Sequence, residues 1–294
     1  MTATTTGKIK IPTDVIAAQV TKVKDSSAIA ALCPAKPKLF ADESNLVFNP
    51  TAEAEVVEEG AEKGSYESDV KPVAAVRFKV TTTTRVTDEL VYADDDNKLA
   101  IVSNILDDQF AVAGRALDYV ALHAINPKTG KPLAAYTALT AAEGVNTVVA
   151  GDDDVANIDA LVDALEDYEI NGIALGRPFA SRLRKLRVPA TGMRLYPEIP
   201  LNLNAGTLDG IKAAVSGTVN GRRAATPTKV DAIMGNFALM NWGLVRNMNS
   251  EIIKYGDPDG AGDLKRMGQV AYRTEAVFCY ACLDPKAFAV LKSA

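Results

Sequence analysis

His123 is the only histidine of the chain, so a nucleophile–His–acid arrangement or a multi-histidine metal site would have to be built around one ring. It falls at the end of a long apolar-periodic stretch, where an imidazole most simply meets the negative end of a helix dipole. The cysteines are Cys33, Cys279 and Cys282. Cys279-Tyr280-Ala281-Cys282 has the spacing of redox and zinc motifs. The residues around it alternate as in a strand, which sends positions i and i+3 to opposite faces, and zinc needs about four ligands. Two small buried side chains are the plainer reading.

Four further motifs have residue types that could do chemistry. Asp257-Pro258-Asp259-Gly260-Ala261-Gly262-Asp263 has the texture of a calcium loop, but the twelfth position is Gly268, where a bidentate Glu is required; it reads as a solvated turn. Gly130-Lys131 lacks the upstream glycine of a phosphate loop, since Ile125 stands there. Arg182, Arg184, Lys185 and Arg187 form the one basic cluster, which is most simply a solvated helix face. Asp152-Asp153-Asp154 reads as a helix start. No catalytic, cofactor or metal site emerges, and no enzyme is expected.

The elements around these residues are more informative than the residues themselves. Between Glu53 and Lys71 stand the acids Glu53, Glu55, Glu58, Glu59, Glu62, Glu67 and Asp69, against Lys63 and Lys71. From Val73 to Thr87 there is no acid, and Arg77, Lys79 and Arg85 supply positive charge. That second stretch alternates, with Val76, Phe78, Val80, Thr82, Thr84 and Val86 on one face, which is strand periodicity in β-branched residues. An acidic leg and a basic leg turning near residues 60–69 predict an antiparallel ribbon. At about 3.3 Å per residue Val73–Thr87 spans roughly 50 Å. A compact chain of this length is itself about 50 Å across. The ribbon is therefore expected to lie on a neighbour.

Further along, Leu99, Val102, Leu106, Phe110, Ala113, Leu117 and Val120 recur at steps of three and four. They predict a helix over Asn97–Leu122, about 39 Å long, started by Asp94–Asp96 and stopped by the turn at 126–130. Ile158, Leu161, Val162 and Leu165 predict a short helix after Asp154, Ile170–Leu175 a buried strand, and Arg177-Pro178 the start of another helix. Short strands are expected to about Trp242, and a long alternating strand over Gln269–Cys282. Residues 1–50, interrupted at Pro12, Pro34, Pro37 and Pro50, read as an arm that packs on something else.

Bulk properties narrow the function classes. The chain has 294 residues, 48% hydrophobic and 23% charged, and a formal net charge of −5, which argues against a general nucleic-acid binder. Met1–Lys10 has no apolar core, so no signal peptide is expected, and no run of about 18 apolar residues predicts a membrane span. Three cysteines are too few for a disulfide framework and fit a reducing compartment, such as a cytoplasm.

This order of parts resembles the major capsid protein of tailed bacteriophages, the Hong Kong 97-like fold. The arm around Ile11-Pro12, the stretch Glu55–Val86 with its return at Thr87-Asp88-Glu89-Leu90, and the helix over Asn97–Leu122 carry the likeness. So do Ile173-Ala174-Leu175-Gly176-Arg177-Pro178 between two helices and the closing Leu283-Asp284-Pro285-Lys286-Ala287-Phe288. The resemblance implies an α+β fold: an N-terminal arm over 1–50, an extended β-hairpin loop (E-loop) over 51–90, a peripheral domain with a long spine helix over 91–151, an axial domain over 152–248, and peripheral return strands and C-terminus over 249–294. It implies assembly into hexamers and pentamers of an icosahedral shell around double-stranded DNA, which would be touched non-specifically. A scaffolding protein (separate, because the arm begins almost at Met1), a portal, and protease or decoration proteins are the implied partners. Synthesis in a host bacterial cytoplasm and residence in the virion capsid follow. Glu58, Glu59, Lys63, Tyr66, Lys71, Arg77, Phe78, Lys79 and Arg85 are the candidate subunit-interface residues. Covalent Lys–Asn cross-linking is not expected, because no Asn stands near Lys265–Gln269. An encapsulin-type nanocompartment shell is the first alternative, a soluble α/β enzyme the second.

Overall fold

The computed structural model describes residues 27–36, 44–49, 56–57, 62–63, 65, 69–97 and 101–293. Of the expected arm, the first described stretch enters the body. Helix α1 (Ala28–Leu32) is capped by Ser27, whose Oγ accepts from Ala30 N at 3.2 Å. Ser27, Ala28, Ile29, Ala30, Leu32 and Cys33 are buried. Small side chains let this turn lie deep, and Trp242 grips its exit: the indole N–H donates to Cys33 O at 3.0 Å, and Lys36 N–H donates to Trp242 O at 2.8 Å. The reading of 1–50 as an arm without cover of its own is corrected for this stretch.

The alternating segment forms a strand as expected, with a different partner. β1 (Ser44–Asn49) pairs antiparallel with β2 (Asp69–Ala74), from Ser44↔Ala74 to Asn49↔Asp69. After Ala75 comes β3 (Val76–Thr87). The described end of the acidic leg, Asp69 to Lys71, lies in β2 and pairs with β1. β3 runs antiparallel to β10 (Gln269–Cys282), from Val76↔Tyr280 to Thr87↔Gln269, while β9 (Met240–Ile253) covers the other edge of β10. The long strand is thus satisfied inside its own chain, by residues some 190 positions away, and its length does not by itself require a neighbour. Phe78 stacks on Phe278 with ring centroids 5.5 Å apart, a packing gain that a hairpin with Glu-rich 53–59 could not supply.

Two helices replace the single one expected. Asp88 and Glu89 occupy the first turn of α2 (Asp88–Asn97), where the helix dipole favours acids; Asp94–Asp96 lie in its second half and start nothing. α3 (Ile101–His123) follows. Its C-terminal half is buried at Ala113, Ala116, Leu117, Val120 and Ala121, whereas Val102, Leu106 and Phe110 are half-buried. Gln109 ties it to the three-stranded sheet, donating to Thr84 Oγ1 at 2.9 Å and Tyr272 O at 3.0 Å and accepting from Thr274 at 2.6 Å.

The remaining strands form a second, mixed sheet. β4 (Asn146–Val149), β5 (Gly172–Gly176), β6 (Thr207–Leu208), β7 (Ile211–Ser216), β8 (Val230–Gly235) and β11 (Phe288–Lys292) lie in the order β4-β11-β8-β5-β7-β6. α4 (Asp154–Asp163, capped by Asp153) and α5 (Arg177–Lys185, with Pro178 in its first turn) match their sequence signals. Strand alternation divides the core. Ile173, Leu175, Ala232, Met234, Ala289 and Leu291 pack with Phe179 and Leu183 of α5 on one face. Ala174, Ile233, Phe288 and Val290 pack with α1 and α3 on the other. Burial on both faces explains the near-continuous apolar runs of β5, β8 and β11. Two expected boundaries move. β9 begins at Met240, so the change of sheet falls before 248, and β4 and β11 join the sheet of residues 172–235, not the one containing β10. No helix of the described residues is long and apolar enough to cross a membrane.

Candidate assembly interface

The residues singled out for chemistry are used internally. His123, at the last position of α3, is buried, and its Nε2 lies 3.0 Å from Thr218 O and 2.9 Å from Val219 O. Both atoms are acceptors, so Nε2 carries the proton. Burial lowers the ring's pKa, which holds it neutral at the helix C-terminus where the sequence placed it. One turn earlier, buried Asp118 accepts from Ser27 Oγ and Thr218 Oγ1, from Ala28 N at 2.8 Å and from Ile29 N at 3.2 Å. Burial raises its pKa against those bonds. It is a clasp between α1, α3 and the loop after β7. The three cysteines are free thiols, and burial pushes Cys33 and Cys282 up to about 12, far from the thiolate that redox or metal chemistry needs.

The Asp-rich turn at 257–263 clamps an arginine. Arg85 Nε donates to Asp259 at 2.8 Å and Nη2 to Asp257 at 2.9 Å. Asp257 also accepts from Gly262 N at 3.0 Å, and these bonds lower both carboxyl pKa values, Gly262 N–H foremost for Asp257 and Arg85 for Asp259. Among the described residues no set of three or more His, Cys, Asp or Glu side chains is arranged to hold a metal. In the basic cluster, Arg182 bridges Asp154 at 3.1 Å and Asp231 at 2.9 Å, and Arg187 caps the carbonyls of Arg184 and Leu186. Half of the expected solvated face is therefore tied down.

The interface candidates separate sharply. Glu58, Glu59 and Tyr66 lie outside the described residues, and so does the arm around Ile11. Lys63 is exposed, as is Lys71 on β2. Phe78 is buried between Phe278, Tyr136 and Tyr280, so it is core and not contact surface: its face of β3 meets α3. Arg77 is half-buried, Lys79 pairs with Glu275 at 2.8 Å, and Arg85 belongs to the clamp. What stands uncovered is the β1–β2 ribbon, which pairs with no third strand among the described residues. Leu46 is 63% exposed and Val56 98%. β1 carried no strand signal by alternation, because Leu46-Val47-Phe48 is a continuous apolar run only three residues long.

A groove of about 580 Å³ runs beside β3, walled by α3 and the turn at 126–136. Gly130 fixes that turn at φ +70, and a Cβ there would stand 2.5 Å from Arg223 O. Ala225 N donates to Gly130 O at 2.9 Å, which brings Arg223 to the groove beside Lys128.

With this geometry in hand, comparison with known proteins identifies the family. The sequence profile of the phage capsid family matches residues 7–293. The chain belongs to that family. Among solved structures, one from Mycobacterium phage Ogopogo is 33% identical, with 92% of each chain covered and a TM-score of 0.81. One from Gordonia phage Cozz is 26% identical over 92% of this chain and 87% of the other, TM-score 0.73. A virus-like particle from Pyrococcus furiosus shares the fold alone, at 11% identity and TM-score 0.54 over 97% of this chain and 100% of the other. No curated protein matches. The capsid protein is thus a structural component of the virion, not an enzyme, with a mixed α+β fold shared by phage capsids. The family match and not the length of β3 carries this conclusion.

Proposed function

We propose that the capsid protein closes into hexamers and pentamers of an icosahedral shell around double-stranded phage DNA, each copy laying the β1–β2 ribbon and residues 50–68 on a neighbour. The observation behind it is the bare ribbon. A two-stranded hairpin is marginal in water, and this one leaves Leu46 and Val56 exposed, which burial against a second copy would remove. On this reading the ribbon and its tip are the extended loop, α3 is the spine helix, and the sheet containing β5 and β8 is the axial domain. The net charge of −5 fits loose, non-specific contact with the packaged DNA. Free thiols suit synthesis in a bacterial cytoplasm. Scaffolding, portal, protease and decoration proteins would act on the shell as separate partners. Closed symmetry multiplies modest contacts.

The test is expression of the full chain followed by sedimentation and negative-stain microscopy. Closed particles of uniform diameter are expected; a discrete monomer at high concentration would overturn the proposal. Particles that carry protein cargo and no nucleic acid when produced during infection would instead favour a nanocompartment shell.

A further inference from the structure

The whole-chain charge of −5 hides a sharp segregation. Three stretches far apart in the sequence carry no acid: residues 70–87, 119–142 and 210–230. All three wall the groove beside β3. Phe78 to Thr83 come from the first, Asn126 and Lys128 from the second, and Arg223 from the third. The bond from Ala225 N to Gly130 O draws the last two together. No carboxylate lines the groove, and four cations do. Lys79 is answered by Glu275. Among the described residues no carboxylate forms an ion pair with Arg115, Lys128 or Arg223. Burial raises the Tyr119 phenol pKa, while Arg223 and Arg115 act the other way, which marks the two guanidinium groups as neighbours of one ring. Next along the two turns, Lys131 and Arg222 are exposed, so the positive surface continues beyond the groove.

Like charges gathered without counter-charges repel one another, and an anion relieves them. The other basic cluster lacks this character. Arg182 is tied to Asp154 and Asp231, and neighbouring α4 exposes Asp159 and Asp163. A DNA duplex presents one phosphate charge per about 1.7 Å of its axis. It is held without base readout by Arg, Lys and hydroxyl donors, and exposed Thr81 adds a hydroxyl beside the cations. A shell of net-negative chains repels its genome over most of its surface. Contact is then confined to ground that acids avoid, and the groove is where three such stretches meet.

We propose that this groove opens on the lumen of the shell and holds phosphates of packaged duplex DNA through Arg115, Lys128 and Arg223, with Lys131 and Arg222 extending the track. This rests on the assembly reading above and gives its DNA contact a place. The test compares DNA-filled and empty particles of the full chain by lysine acetylation and mass spectrometry. Lys128 and Lys131 should lose most of their reactivity in filled particles, whereas Lys185 on α5 should react alike in both. On the unassembled full-length chain at low salt, Arg115→Gln with Arg223→Gln should weaken binding of a short mixed-sequence duplex about tenfold and flatten its log–log salt slope by about 1.8. The same charge removal by Lys185→Gln with Arg187→Gln should leave affinity within about twofold. Should the arginine pair fail to fold by circular dichroism, Lys128→Gln with Lys131→Gln, both exposed, replaces it. Lysines shielded equally in empty and filled particles mean that protein covers the groove, and lysines equally reactive in both mean that nothing does. Either result overturns the proposal while leaving the shell intact. Equal weakening by the two variant pairs makes the attraction a matter of overall charge, and the groove falls as a site. A parent chain that forms no particles overturns the assembly reading, and the duplex measurement on that chain then decides the groove.

Discussion

In the six-stranded sheet both faces are covered, whereas the three-stranded sheet ends, among the described residues, on the unpaired outer edges of β3 and β9, and β3 is preceded by an uncovered ribbon. Ile173, Leu175, Ala289, Val290 and Leu291 are fully buried around the first. Along the second, Phe78 and Phe278 are buried beside exposed Lys79, Thr81 and Thr87. One region completes its folding energy within the chain; the other keeps edge hydrogen bonds and apolar surface in reserve. The difference separates folding from assembly, so substitutions in the two regions should be read by different instruments.

The largest effect expected is all-or-none. Replacing residues 50–68 by a short Gly-Ser turn should abolish particles in sedimentation while leaving the melting temperature of the dissociated chain within about 2 °C, a shift worth under about 1 kcal/mol at this size. Normal shells from this variant would break the comparison. Next comes the covered lobe. Phe179→Ala, at a fully buried site, should cost about 3–5 kcal/mol by chemical denaturation, and Phe110→Ala, half-buried on α3, about half as much. Equal losses would mean that the N-terminal half of α3 is as well covered as the lobe.

Much of the covered lobe was legible in the sequence because its signals are local. Asp153 caps α4 and Pro178 sits in the first turn of α5; in the other sheet, the alternation within Gln269–Cys282 likewise marked β10. The capsid resemblance rested on this order of elements and held. Strand partners were not legible. The acids of 53–69 and the bases of β3 are close in sequence and opposite in charge, yet exposed ion pairs contribute only about 0–1 kcal/mol. The Phe78–Phe278 stack, which no periodicity announces, decides the pairing. β9 was missed because Asn241, Gly243, Asn247 and Asn249 disfavour strands and because bulges opposite Glu275–Phe278 break its alternation. Of the candidate site, the acidic run at 53–59 was visible in the sequence. The groove cations Arg115, Lys128 and Arg223 were not, since they lie far apart in the chain until the turn at Gly130 brings two of them together.

The seam between the regions supplies the next effect. Asp118 holds Ser27 and Thr218 at once, so Asp118→Ala strands the backbone N–H groups of Ala28 and Ile29 and the Ser27 hydroxyl in the core, while Thr218 keeps Ser216 Oγ at 2.8 Å. The expected loss is about 3 kcal/mol, with faster hydrogen exchange at Ala28 and Ile29 than elsewhere in the core. A uniform change in exchange would show that the clasp does not hold α1 specifically.

The smallest effect, and the one that tests the seam without removing a contact, is the acid response of His123. Burial foremost, with some help from Lys292, holds its pKa below the usual value of about 6.5. As pH falls, the unfolded chain therefore takes up this proton first. The contribution to stability is full above pH 6.5 and drains away as pH descends from there through the lowered folded value. The loss is about 1.4 kcal/mol for each unit of depression. His123→Gln keeps an N–H donor for the carbonyls of Thr218 and Val219 and does not titrate. Its stability should stay flatter than that of the parent between pH 7 and pH 5, and the difference between the two chains isolates this group from the carboxylates that titrate lower. Parallel curves would mean that the ring is already open to water, and that the joint between the two sheets is looser than its hydrogen bonds describe.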